Sequence, residues 1–260
     1  MDFSALDLSI LGPAFIAGLL VVSTHVPLGR QVLARGIIFI DLAVAQIAGL
    51  GVIAAHAFGV GERPFAVQVS ALIAALSGAA LLNWCERRFP DLLQAIIGTS
   101  FVLAATLAIL LLAGDPHGGE ELKDLLVGQI LFATPDLLWP VGIVYAAVLG
   151  AWFGLGPHRL KRAGFYLLFA VVVALSVQLV GVYLVFTTLI IPALVVRGHD
   201  GRRALGFGWG LGLSAYAVGL VASALWDLPT GALIVWALAA CGAIMAAIVG
   251  RPPKASATHP

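Results

Sequence analysis

Long apolar stretches and short polar gaps alternate along the whole of this 260-residue chain. The apolar stretches run approximately over 8–26, 36–58, 65–84, 93–113, 137–155, 165–180, 181–197, 204–226 and 228–249. Most approach the length a helix needs to cross a hydrocarbon core about 30 Å thick. The pattern predicts an all-α, polytopic membrane helix bundle of about eight to nine transmembrane helices. Residues 165–197 are continuously apolar. As one helix they would extend roughly 50 Å, too far for a single crossing. Two segments breaking near Gly181 fit better, and one of them could be re-entrant.

Charge supplies the orientation. Twelve of the fourteen Lys and Arg residues fall in every second gap: Arg30 and Arg35; Arg87 and Arg88; Arg159, Lys161 and Arg162; Arg197, Arg202 and Arg203; Arg251 and Lys254. The other gaps hold only Arg63 and Lys123. Cationic loops stay cytoplasmic, so the amino terminus is expected outside and the carboxyl terminus in the cytoplasm. A single crossing over 165–197 would strand Arg197, Arg202 and Arg203 on the wrong side, which again favours the break. The first span follows Asp2 and Asp7 with no basic residue before it, so it reads as an uncleaved helix and not a secretory signal.

At 61% hydrophobic and 10% charged, residues 1–250 read as a single transmembrane domain, with 251–260 a disordered cytoplasmic tail. Cys85 and Cys241 lack metal-motif spacing and read as free thiols. There is no P-loop to hold ATP, and neither a His-Glu-x-x-His nor a Gly-x-Ser-x-Gly motif occurs. An enzyme is therefore not expected, nor a nucleic-acid partner; the expected surroundings are a lipid bilayer. Gly206, Gly208, Gly210 and Gly212 form two overlapping Gly-x-x-x-Gly pairs, which let another backbone approach, within the bundle or between subunits.

Among the carboxylates, Asp41 alone falls well inside a span. An intramembrane acid costs several kcal/mol unless water, a cation or a partner meets it. Asp41 is thus a candidate ligand for a travelling cation, against the alternative of a structural acid near the cytoplasmic end of its span. Gln46, five residues on, points about 140° away on a regular helix. The two could share a ligand only across a local break, for which Gly49 and Gly51 are candidates. Thr99, Ser100, Gln178, Thr187 and Thr188 read as interhelical hydrogen bonders, and His25 and His56 as interfacial. The gap 114–136 carries Asp115, His117, Glu120, Glu121 and Asp124 before an apolar run. It reads as a cation-collecting outer loop, as a surface for a binding protein, or as a solvated loop with an interfacial helix.

Five segments in order resemble the permease subunit of bacterial ABC importers for zinc and manganese. They are Pro27-Leu28-Gly29 with Arg35, resembling a turn after the first helix; 91–98, entering the fourth; 125–131; 181–197, with Leu189-Ile190-Ile191-Pro192-Ala193; and Leu228-Pro229-Thr230-Gly231, opening the last. The resemblance spans nearly the whole chain. It implies a multi-pass protein of the bacterial cytoplasmic membrane that imports a divalent transition metal (zinc, manganese or iron) by alternating access. The permease would be a homodimer, completed by cytoplasmic ABC ATPase subunits that bind the ATP and by an extracytoplasmic solute-binding protein. It implies no permanently bound cofactor. It also implies that 157–164, with Arg159, Lys161 and Arg162, is the segment that docks on the ATPase; those cations could equally serve topology alone.

One departure stands out. The family's second helix typically reads Gly-Asp-x-Leu-x-His, and this chain has Gln46 where the His belongs. Asp41 falls one residue earlier than the family Asp. An amide is a poor replacement for imidazole toward Zn²⁺. The substrate path is therefore expected to involve Asp41, as metal ligand, and Gln46. A metal chelate or other small solute remains an alternative cargo, and a stand-alone cation-coupled carrier using Asp41 an alternative class.

Overall fold

The computed structural model describes residues 7–156, 162–199 and 201–249. Ten α-helices make up the fold, with no strand among the described residues. They are α1 (Leu8–Arg35), α2 (Ile40–Ala57), α3 (Pro64–Arg88), α4 (Leu93–Leu112), α5 (Gly118–Val127), α6 (Pro135–Leu155), α7 (Arg162–Val180), α8 (Val182–Val195), α9 (Gly201–Trp226) and α10 (Thr230–Val249). Eight helices are long and apolar enough to cross a membrane, whereas α8 has 14 residues. At 1.5 Å per residue α8 is about 21 Å long, short of a full crossing. Burial separates inner from outer helices: 67% of the apolar window of α7 and 61% of that of α2 are buried inside the protein, against 17% for the segment Pro90–Leu112 containing α4.

The break expected near Gly181 is present. Gly181 adopts φ 80° and ψ 162° between α7 and α8, a conformation glycine alone enters readily. Gly128, φ 76°, lies against it. A Cβ on either glycine would run into backbone atoms of the other segment.

The turn expected at Pro27-Leu28-Gly29 is absent. α1 continues through all three residues to Arg35 and ends at Gly36, φ 70°, where Ile37 N–H donates to the Val32 carbonyl at 3.2 Å. Proline lacks the N–H that would bond the carbonyl four residues back. That carbonyl belongs to Ser23, and Trp209 Nε1 of α9 donates to it at 3.3 Å. Gly29 is small because the Leu189 carbonyl of α8 occupies the place of a Cβ. In lipid such residues serve contact between helices when neighbours satisfy the freed backbone group.

Only half of the glycine row in α9 is used in the same way. Gly208 and Gly212 receive Val26 and Val22 of α1, whereas Gly206 and Gly210 face open space. The first pair is packing within the bundle, as one of the two expectations had it.

Long basic side chains gather at one end. Arg30 donates to the carbonyls of His199, at 3.2 Å, and Gly201; the Arg35 guanidinium lies 4.3 Å from the Phe165 ring centroid; Arg162 Nε pairs with Glu86 at 3.4 Å. The opposite end carries α5 and the α7–α8 corner. Residues 251–260, expected to form a tail, and Arg159 and Lys161 lie outside the described residues.

Candidate functional site

Asp41 occupies the first turn of α2, and its side chain is inaccessible to solvent. Neither carboxylate oxygen has a hydrogen-bond partner among the described residues. Its position gives the carboxylate the positive end of the α2 dipole. A bare buried carboxylate is otherwise expensive. The arrangement suits a group that arrives from elsewhere and carries donors or positive charge.

Gln46 is also buried, 2% exposed, and its Oε1 has no partner. The local break that would let Asp41 and Gln46 share a ligand does not occur, because α2 is continuous over Ile40–Ala57. Gly49 and Gly51 serve packing: Gly49 receives Leu125 of α5, and Gly51 lies against Ser70, Ala71 and Ala74 of α3. The two side chains thus stay on different faces, separated by roughly 7–8 Å along the axis. Among the described residues no three His, Cys, Asp or Glu side chains are grouped to hold a metal together.

His56 is exposed at the end of α2, in keeping with an interfacial residue. It lines a cavity of about 400 Å³ together with Glu121 and Asp124 of α5, Gln129 and Gln178 of α7. Asp124 accepts from Gln129 Nε2 at 2.5 Å. The acidic gap 114–136 therefore places carboxylates of α5 over the bundle and beside α2. Leu125, also in the cavity lining, caps Gly49, and Gln46 lies one turn further in.

His25 is not interfacial. Because α1 runs to Arg35, His25 sits in its interior, inaccessible to solvent, with Nδ1 2.8 Å from the Val21 carbonyl and Nε2 unpartnered. Apolar and small positions at helical spacing beyond Pro27 (Gly29, Val32, Leu33) are the signal that would have revealed this.

Of the five residues expected to bond between helices, Thr188 alone does so among the described residues, since the bonds of Thr187 and Gln178 stay within their own helices. Thr188 bonds Tyr216 of α9 at 3.0 Å, Thr187 donates to the Tyr183 carbonyl, and Gln178 Nε2 donates to the Ala174 carbonyl while lining the cavity. Thr99 and Ser100 line a shallow hollow with Leu92, Ala95 and Ile96. Cys85 and Cys241 are free thiols.

The model of the ABC 3 transport family matches residues 7–155 and 153–249, which covers almost the entire chain. The chain belongs to that family. The membrane protein slr2045 of Synechocystis sp. is 25% identical over 251 residues, 89% of this chain and 88% of its own length. The fold is shared with a chain of PsaBC from Streptococcus pneumoniae, solved in complex with Fab: TM-score 0.71, 19% identity, 90% of each chain covered. It is shared equally with a transporter described as of the metal-chelate ABC type, in an inward-facing conformation: TM-score 0.71, 18% identity, 90% of this chain and 85% of that one.

As an ABC 3 permease the chain is a multi-pass membrane component of a transporter, and the family implies ATPase and substrate-binding partners. Membership also gives the quoted segments a physical meaning. Three of the five converge on Val127 and Gly128: Gly181 abuts Gly128, and Gly231 faces the Val127 carbonyl. The last helix is fixed beside them by Ser223, which bonds the Leu228 carbonyl at 2.7 Å and Thr230 at 2.6 Å. The stand-alone carrier does not fit an ABC permease.

Proposed function

We propose that this permease imports a divalent transition metal (zinc, manganese or iron) by alternating access, driven by a partner's ATP hydrolysis. The observation that carries the reading is Asp41: a solvent-inaccessible carboxylate on an inner helix, with neither oxygen hydrogen-bonded among the described residues. A cation passing through would meet that need transiently. Weak binding is what a path requires, since cargo must leave as well as enter. Gln46 lines the same helix as a neutral donor, one turn beneath the leucine that caps it from α5.

In this reading the basic end faces the cytoplasm, the amino terminus faces outward, and two permeases pair around the path. The cavity bearing His56, Glu121 and Asp124 then opens outward, where a solute-binding protein delivers cargo. Residues 157–164 dock on the ATPase. Arg162 pairs with Glu86 and so anchors that segment to α3; Arg159 and Lys161 are the further cations proposed for docking. A metal chelate is the second reading, favoured by the amide of Gln46 standing where an imidazole would grip a bare ion.

Uptake into vesicles containing the assembled transporter, with its binding protein, tests both readings on Zn²⁺, Mn²⁺ and Fe²⁺. Asp41→Asn should lower uptake at least about tenfold, a loss of roughly 1.4 kcal/mol or more, while the ATPase still co-purifies. Wild-type uptake by that variant would remove Asp41 from the mechanism. Uptake of a chelate but of no free ion would favour the second reading.

A further inference from the structure

His25 is a buried ionisable group for which the mechanism above has no use. A carbonyl oxygen can only accept, so the 2.8 Å contact from Nδ1 to Val21 places the ring proton on Nδ1. The Thr24 hydroxyl, 3.1 Å from the same carbonyl and 3.2 Å from Nδ1, completes that side of the ring. Nε2 then carries a lone pair, and it meets no donor among the described residues. Orientation of one ring nitrogen by a backbone carbonyl, with the other left bare, is how proteins prepare a metal-binding imidazole.

The ring's depth in the bundle gives this meaning. His25 precedes Gly29 by one turn, and Gly29 faces Leu189 of α8. α1 and α8 run in parallel, since Arg30 reaches His199 just beyond the end of α8. His25 therefore stands at about the height of residue 185 or 186 of α8. Phe39, two residues before Asp41, stacks on Phe186 with centroids 6.4 Å apart. The helix carrying the bare imidazole nitrogen and the helix carrying the bare carboxylate thus both pack on α8.

We propose that His25 is a metal-ligating residue of the transport path, supplying from α1 the nitrogen donor that position 46 of α2 lacks. The inference rests on the proposed metal cargo and names its second ligand. His25 and Asp41 make no ion pair with each other, and no third acid, thiol or imidazole joins them among the described residues. They act as successive stations for a partly hydrated ion.

Co²⁺ is a suitable probe, added alone to the full-length permease assembled with its ATPase in lipid nanodiscs. The other five histidines, His56, His117, His158, His199 and His259, are replaced by Gln, so that His25 is the sole imidazole of the permease. The difference in X-ray absorption at the cobalt edge between this variant and the same variant carrying His25→Asn should then show imidazole scattering. Asn retains an amide N–H for the Val21 carbonyl, so the helix keeps its internal bond. In the wild-type background His25→Asn should weaken Co²⁺ retention at least about tenfold. Unchanged retention by His25→Asn, or no imidazole signal in the five-histidine variant, overturns the assignment; either variant decides if the other does not assemble. Loss of retention in Asp41→Asn with none in His25→Asn removes His25 alone. A folded wild-type assembly that retains no Co²⁺ overturns the metal cargo along with it.

Discussion

The two ends of this bundle are held by opposite means. At the basic end, long side chains reach across between elements: Arg30 to the α8–α9 connection, Arg35 over Phe165, Arg162 to Glu86. At the other end, backbone meets backbone where Gly128, Gly181 and Gly231 leave no room for a Cβ. Flexible charged side chains can exchange partners at little cost, since partly exposed ion pairs contribute about 1 kcal/mol or less. Glycine contacts have no such latitude, because interiors are close-packed and no side chain can rotate away. In the proposed alternating access, the first end would supply the adjustable joints and the second a fixed pivot.

The largest expected effect comes from breaking the pivot. Gly181→Val places a branched side chain at φ 80° and against the backbone at 127–128. Loss of folded, detergent-stable protein is expected, several kcal/mol in size; normal yield and melting temperature would show that the corner is not a pivot. Trp209→Phe should cost less, about 1 kcal/mol, by stripping the Ser23 carbonyl of its one donor while keeping most of the packing. A thermal melt reads it, and no shift would mean that water reaches that carbonyl.

Glu86→Gln tests the adjustable end. The pair is 45% exposed at Arg162 and 16% at Glu86, so stability should change by under about 1 kcal/mol. If residues 157–164 dock on the ATPase as proposed, transport-coupled ATPase activity should nevertheless fall, because that segment loses its tie to α3. Equal losses in stability and coupling would make the pair merely structural. The smallest effect is expected at Asp7, which caps α1 through a 2.8 Å bond from Ser9 N–H. Hydrogen bonds from Ser9 hold its carboxyl below the usual range. The cap's contribution is therefore full above the unfolded carboxyl's range and lost as pH falls through the lowered folded value. Asp7→Asn should remove that acid-side dependence from a melting series; an unchanged pH profile would exclude the cap as its source.

What the sequence reveals follows from the physics of each signal. The count of spans and the break at Gly181 were legible because hydrocarbon thickness limits helix length whatever the neighbours do. Pro27-Leu28-Gly29 was misread because a turn and a helix-packing seam share the same residues. The helical spacing of Gly29, Val32 and Leu33 favours the helix, and Trp209, 186 positions from Ser23, completes it by satisfying the Ser23 carbonyl. That single misreading also displaced His25: ending the first helix at residue 26 puts the imidazole at a membrane edge, and ending it at Arg35 puts it inside. Asp41 was legible because an intramembrane acid is rare. Its separation from Gln46 followed from helix geometry, once Gly49 and Gly51 proved to be occupied by Leu125 and α3 instead of breaking the helix. The cavity joining His56 to Glu121 and Asp124 was not legible, since it depends on how α5 folds over α2.

The 14 residues of α8 bear on voltage. A membrane potential falls across the insulating part of a barrier, and a helix of about 21 Å leaves roughly a third of that barrier to other backbone. The end of α8 at Val180–Val182 is buried, so water can reach in only from the polar end at Arg197 and His199; where it does, the electric field steepens beside α8. Each elementary charge carried through the full drop gains or loses about 2.3 kcal/mol per 100 mV. A doubly charged ion on the proposed path would then do most of its electrical work over that short stretch.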